Sequence, residues 1–139
     1  LSLSLSFSLS FSLSFSLSFS LSFSIYSTRT NLPRDTYPLL IKNMRVIIYN
    51  GDWDACVPWT DNHAWTKRMG YVEQDFWHPW LFNHLDSFGE QVGGYAINYK
   101  VPKGNFTFLT VRGGRHEVPE TAPKRAYEMF SRLIEGASF

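Results

Sequence analysis

The first 24 residues contain no charge, no glycine and no proline, only Leu or Phe alternating strictly with Ser. Each absence excludes a role. Without a basic start and a contiguous apolar stretch the segment does not read as a secretory signal. A membrane-crossing helix needs about 20 predominantly apolar residues, and half of these are Ser. The alternation has the period of a two-faced strand, but ordinary strands run roughly 3 to 10 residues, so one unbroken strand is not expected. What remains is a segment with nothing to discourage edge pairing, which is an aggregation risk and not a function. A CT dinucleotide tract read in triplets encodes Leu-Ser, and one C-to-T change per Leu codon gives Phe-Ser. The segment is therefore read as translated simple-repeat DNA or a mispredicted exon. The chain also starts without Met, and the expectation is that it begins inside a gene.

The rest of the chain is poor in other things. A single cysteine, Cys56, excludes an intrachain disulfide, and its expected role is small buried packing. His63, His78 and His84 do not form a metal spacing such as H-E-x-x-H, so neither a metal nor any other cofactor is expected. Net charge is +1 with no basic cluster, which argues against nucleic acid or an acidic membrane surface as partner. No G-x-S-x-G pattern, the mark of a nucleophile elbow, occurs anywhere.

All the charged residues lie in Ile25 to Phe139, a length close to one small domain. "DTYPLLIKN" (Asp35 to Asn43) reads as a helix capped by Asp35, with Pro38 near its start. "MRVIIYN" is apolar on both faces and predicts a buried strand in a parallel pairing. "TDNHAWTKRMGY" predicts a helix capped by Thr60 or Asp61 and stopped by Gly70. "EQVGGYAINYKVPKGNFTFLTVRGG" holds two strand-like runs joined by turn residues at Pro102 to Gly104. In "ETAPKRAYEMFSRLIEG" the residues Ala126, Met129, Phe130, Leu133 and Ile134 share one face of a helix that stops at Gly136. Strand, helix, hairpin, strand, helix is the tail of an α/β sheet.

Functional groups in such sheets gather at the carboxyl ends of strands. Asp52, Asp54 and His116 all follow such ends. A carboxylate beside an imidazole fixes its tautomer and stabilises the imidazolium, so that the ring can take a proton from a nucleophile. The alternative reading of the residues is plain: Asp after a strand often caps a turn, and a lone His near Gly-Gly is often a surface residue.

Four stretches, "VIIYNGDWDACVPWTDNHAW", "DFWHPW", "EQVGGYAINY" and "FTFLTVRGGRHEVPETAPKRAYEMFSRLI", resemble in order and distance the C-terminal part of the serine carboxypeptidases. The resemblance covers roughly Thr28 to Gly136. It implies the C-terminal portion of an α/β-hydrolase fold over residues 25–139, with the repeat of residues 1–24 outside the fold. In that family the second aspartate of G-D-x-D is the triad acid and the His of G-x-x-H-x-V-P the triad base, which fall on Asp54 and His116. Asp52 is then a loop-shaping residue. The family's nucleophile lies in an upstream G-E-S-Y-A-G motif that this chain does not contain.

The implied activity is release of the C-terminal amino acid from a peptide with a free C-terminus, through an acyl-enzyme and without metal. The implied location is the vacuole, the lysosome or outside the cell. Related plant proteins that transfer acyl groups from glucose esters share the triad, and a non-catalytic remnant is the rival of another class. Trp53, Trp65, Trp77 and Trp80 are expected in the core. Trp59 and Glu117 flank the triad residues and are expected to line the substrate pockets, with Glu117 favouring a basic leaving residue. Asn105, in "NFT", is a glycosylation sequon that fits a secretory route.

Overall fold

The computed structural model describes residues 35–83, 89–102 and 104–139; the Leu/Phe-Ser repeat and His84 lie outside the described residues. Among the described residues nine elements follow one another: α1 (Tyr37–Asn43), β1 (Val46–Gly51), α2 (Trp59–Arg68), β2 (Val72–Glu73), β3 (His78–Asn83), β4 (Glu90–Lys100), β5 (Phe106–Val111), α3 (Val118–Thr121) and α4 (Pro123–Glu135).

The strands form one mixed sheet. β5, whose six residues are all buried, lies between β1, its parallel neighbour, and β4, its antiparallel hairpin partner. The "FTFLTV" run has no polar face because helices or neighbouring chain cover it on both sides. β4 is long enough to share its far edge between β2 and β3. The parallel pairing of "MRVIIYN" and the antiparallel pairing of the two runs that flank Pro102 to Gly104 are as the pattern predicts.

Each face of the sheet has its own core. On one, Ile48, Ile97, Tyr99, Phe106 and Phe108 pack with Ile41 of α1, and Trp59 and Trp65 of α2 close over them. On the other, Trp80, Phe82, Ala96, Leu109 and Val111 pack against Val118, Ala122, Ala126 and Met129. Burying one such side chain contributes about 1.5–3 kcal/mol, so these clusters rather than helix propensity hold the short helices. Helices on both faces of a mixed sheet make the chain an α/β protein.

Several expectations need correction. Thr36, not Asp35, stands at the N-cap of α1 and makes no side-chain cap bond. α2 begins behind Pro58 rather than Thr60 or Asp61; Asp61 falls in the first turn, where its charge still suits the helix dipole. On α4, Ala126 and Met129 are buried, but Phe130 is 39% and Ile134 70% exposed. The seam against the sheet runs through Ala122, Ala126 and Met129, and Phe130 lies about 100° round the helix from Met129. Gly136 ends α4 as predicted, in the left-handed conformation at φ 75°.

Trp80 is buried and donates its indole N–H to the Thr110 carbonyl at 2.9 Å, whereas Trp53 is 68% exposed. β2 and β3 have no counterpart in the sequence reading. Pro79 disguises β3, and it is tolerated there because β3 is an outer strand pairing only with β4.

Candidate active site

β1 and β5 run parallel with Gly51 opposite Val111, so the turns that leave them emerge side by side. Their backbones touch. A Cβ on Gly51 would stand 2.2 Å from the Gly114 carbonyl oxygen, closer than atoms can approach, so only glycine fits there. Asp52 N–H donates to the Val111 carbonyl at 3.2 Å and Trp53 N–H to the Gly114 carbonyl at 2.9 Å. Asp52 is exposed, and its Oδ1 accepts the Gly113 N–H at 2.7 Å. The first aspartate therefore clasps one turn to the other, the loop-shaping part expected of it.

The second aspartate points inward. Asp54 is buried, and its Oδ1 accepts the backbone N–H groups of Cys56 at 2.8 Å and Val57 at 3.2 Å, which folds the turn around the carboxylate. Its Oδ2 faces His116 Nδ1 at 3.3 Å, an ion-pair contact rather than an aligned hydrogen bond. The acid side chain is 2% exposed and the imidazole 39%. One partner is sealed in the protein and the other reaches solvent.

Behind the acid turn lies a network that the sequence reading missed. Asn50, at the end of β1, is buried; its amide donates to the Val57 carbonyl at 3.3 Å and accepts the Asn62 amide at 2.8 Å. Asn62 in turn accepts the indole N–H of Trp65. The available signal was an Asn closing an otherwise apolar strand, because a buried amide is kept only where it is hydrogen-bonded. On the histidine side the turn is held by Thr121, whose hydroxyl accepts the Arg115 N–H at 2.8 Å and donates to the Glu117 carbonyl at 2.9 Å.

The other predicted residues stand outside this pair. Trp59, the first residue of α2, stacks on Trp77 at 5.7 Å and tilts against His63 at 6.1 Å. Glu117 is exposed before α3, and its hydrogen bond and charge raise the carboxyl of Glu120 above the usual carboxylate range. Asn105 is exposed at the start of β5, while Thr107, which completes its sequon, is buried and donates to Asn98 at 2.7 Å.

Cys56 corrects another expectation. It is exposed, although its backbone N–H is bonded to the buried Asp54 carboxylate. Ligand atoms of Asp54, Cys56 and His116 all lie within 4.8 Å of one another. Of the remaining histidines, His63 is held below its usual pKa chiefly by burial, with the Lys67 charge adding to the effect. For His78 burial acts downward, but acceptance of its ring nitrogens by the Phe76 and Phe139 carbonyls and the Asp75 charge outweigh it, and the net shift is upward.

Compared with known families, residues 17–136 match that of the serine carboxypeptidases. The chain belongs to that family. It is 42% identical over 99 residues to serine carboxypeptidase-like 20 of Arabidopsis thaliana and 40% identical over 99 residues to serine carboxypeptidase 1 of Hordeum vulgare. Each match takes in 71% of this chain and 18% of the relative, so the chain spans about a fifth of the length of these serine carboxypeptidase relatives. Among the described residues no helix is long and apolar enough to cross a membrane.

Proposed function

We propose that the protein to which this chain belongs is a serine-type carboxypeptidase, releasing the C-terminal residue of a peptide with a free C-terminus. The observation that carries the reading is the Asp54 carboxylate 3.3 Å from His116 Nδ1, at the carboxyl ends of adjacent parallel strands. Asp54 is assigned as the acid that holds Nδ1–H and balances the imidazolium. The assigned base is His116, whose Nε2 takes the proton of a serine hydroxyl as it attacks the peptide carbonyl and returns it to the leaving amine. The burial of one partner and the exposure of the other suit these roles. A fixed acid needs no access, whereas a base must meet the substrate.

Residues 25–139 are taken as the C-terminal part of an α/β-hydrolase domain and residues 1–24 as a low-complexity segment apart from it. Trp59 and Glu117 are assigned to the walls of the substrate pockets, and Asn105 to N-glycosylation on a route to the vacuole, the lysosome or the exterior. Neither metal, nucleic acid nor membrane enters the mechanism.

The 139-residue chain by itself carries no G-x-S-x-G motif and is expected to be inert. Two assays test the reading. An organophosphorus serine reagent should leave the 139-residue chain unlabelled, and stoichiometric labelling would reveal a nucleophile in it. The full-length gene product should hydrolyse a blocked dipeptide. Acyl transfer from an acyl glucose without dipeptide hydrolysis would replace hydrolysis with transfer.

A further inference from the structure

The mechanism makes no use of Cys56, the one cysteine of the chain, although its side chain lies beside both members of the acid–base pair. We propose that Cys56, His116 and Asp54 form a binding site for a borderline-soft divalent cation, with Zn²⁺ the best match. The donor set is one thiolate, one imidazole and one carboxylate, all accepted by zinc, and three protein ligands leave the fourth tetrahedral position open.

The geometry is close to what the ion requires. Zinc–ligand bonds of about 2.0–2.3 Å put tetrahedral donors roughly 3.4–3.6 Å apart. Asp54 Oδ2 and His116 Nδ1 already stand at 3.3 Å, and one ligand atom from each of the three residues lies within 4.8 Å of the other two. Contraction by about 1 Å falls within the reach of side-chain rotation. The mobile partners are the right ones, because Cys56 is exposed and His116 half-exposed while Asp54 is fixed. Asp54 Oδ2 is moreover shielded from water and has no aligned hydrogen-bond donor among the described residues. The oxygen faces His116 Nδ1 without an aligned bond, so a cation placed between the two would be held by both.

Binding replaces the thiol proton of Cys56 with the metal and releases that proton to solvent, so affinity falls as pH falls. It also removes Asp54 and His116 from acid–base work. That consequence rests on the carboxypeptidase reading; the site itself does not.

The test is the alkylation rate of Cys56 in the reduced 139-residue chain, followed by mass spectrometry with and without Zn²⁺. Only the free thiolate reacts, so zinc at ten times its dissociation constant should slow labelling by about tenfold. His116→Gln, with its fold checked by an unchanged thermal midpoint, should abolish the protection, and so should unfolding in guanidinium. Labelling unaffected by zinc, or protection that survives either in His116→Gln or in denaturant, would overturn the site. Turnover of a blocked dipeptide by the full-length protein is read separately. Zinc protection without loss of turnover would count against the catalytic assignment and leave the metal site standing.

Discussion

The turn after β1 and the turn after β5 lie against each other, yet they are built differently. The first is closed from inside: the Asp54 carboxylate ties down Cys56 and Val57, and the Asn50–Asn62–Trp65 chain ties the end of β1 to α2. The second is held from outside, by the Asp52 carboxylate at Gly113 and the Thr121 hydroxyl at Arg115, both in exposed bonds. Buried bonds are stronger than exposed ones and cost more to break. Under the proposed roles, the acid that orients sits in the turn with the more buried bonds and the base that meets the substrate in the turn held by exposed ones.

The sharpest way to break this division is Asp54→Asn in the full-length protein. The asparagine keeps the shape of the turn, so folding should survive while turnover of a blocked dipeptide falls by roughly 10⁴, the loss expected when an imidazole loses its tautomer-fixing acid. Asp52→Asn should cost turnover far less. A larger loss at Asp52 would reverse the assignment of the two acids.

Gly51→Ala attacks the contact between the turns rather than either one. Its methyl group meets backbone, which has no rotamer to yield, so the thermal midpoint should fall by the equivalent of about 3 kcal/mol. An unchanged midpoint would mean that the strands separate freely. Asn62→Ala loosens the inner turn alone. Leaving Asn50 buried with one bond fewer should cost about 2 kcal/mol, and amide exchange should quicken at Cys56 and Val57 but not at Arg115. Equal quickening at Arg115 would show that the two turns open as one unit.

The smallest effect serves as a control far across the sheet, on β3. The folded pKa of His78 lies above its unfolded value near 6.5, so its contribution is complete below pH 6.5 and is lost as pH rises through the folded value. His78→Gln should flatten that slope in a plot of thermal midpoint against pH and leave exchange in both turns unchanged. A retained slope would assign it to another group.

The parallel pair, the hairpin and the terminal helix were legible because their apolar periods are long and their ends carry glycine or turn residues. β2 and β3 were not, because two residues make no period and Pro79 signals a break unless an outer strand is already known. The juxtaposition of Asp54 and His116 was legible from their positions after strand ends together with a family pattern. The exposure of Cys56 was hidden, since a turn has no apolar period from which burial can be read. Asn50 and Asn62 were hidden for a related reason: their partners are amides 12 residues apart whose meeting needs the turn between them.

The pairing of Gly51 with Val111 carries a lesson about insertions. Asp54 and His116 are far apart in the chain, but the gap between them is measured by two short offsets from a shared rung of the ladder. Chain length between the end of β4 and the start of β5 is therefore free to vary without touching that gap. One added residue inside β1 or β5 would move one side chain by about 3.3 Å along the strand and turn its neighbours to the opposite face. Tolerance to insertion should thus follow the ladder and not the distance along the sequence, and a scan of single-residue insertions would draw the site as two short forbidden intervals in a permissive chain.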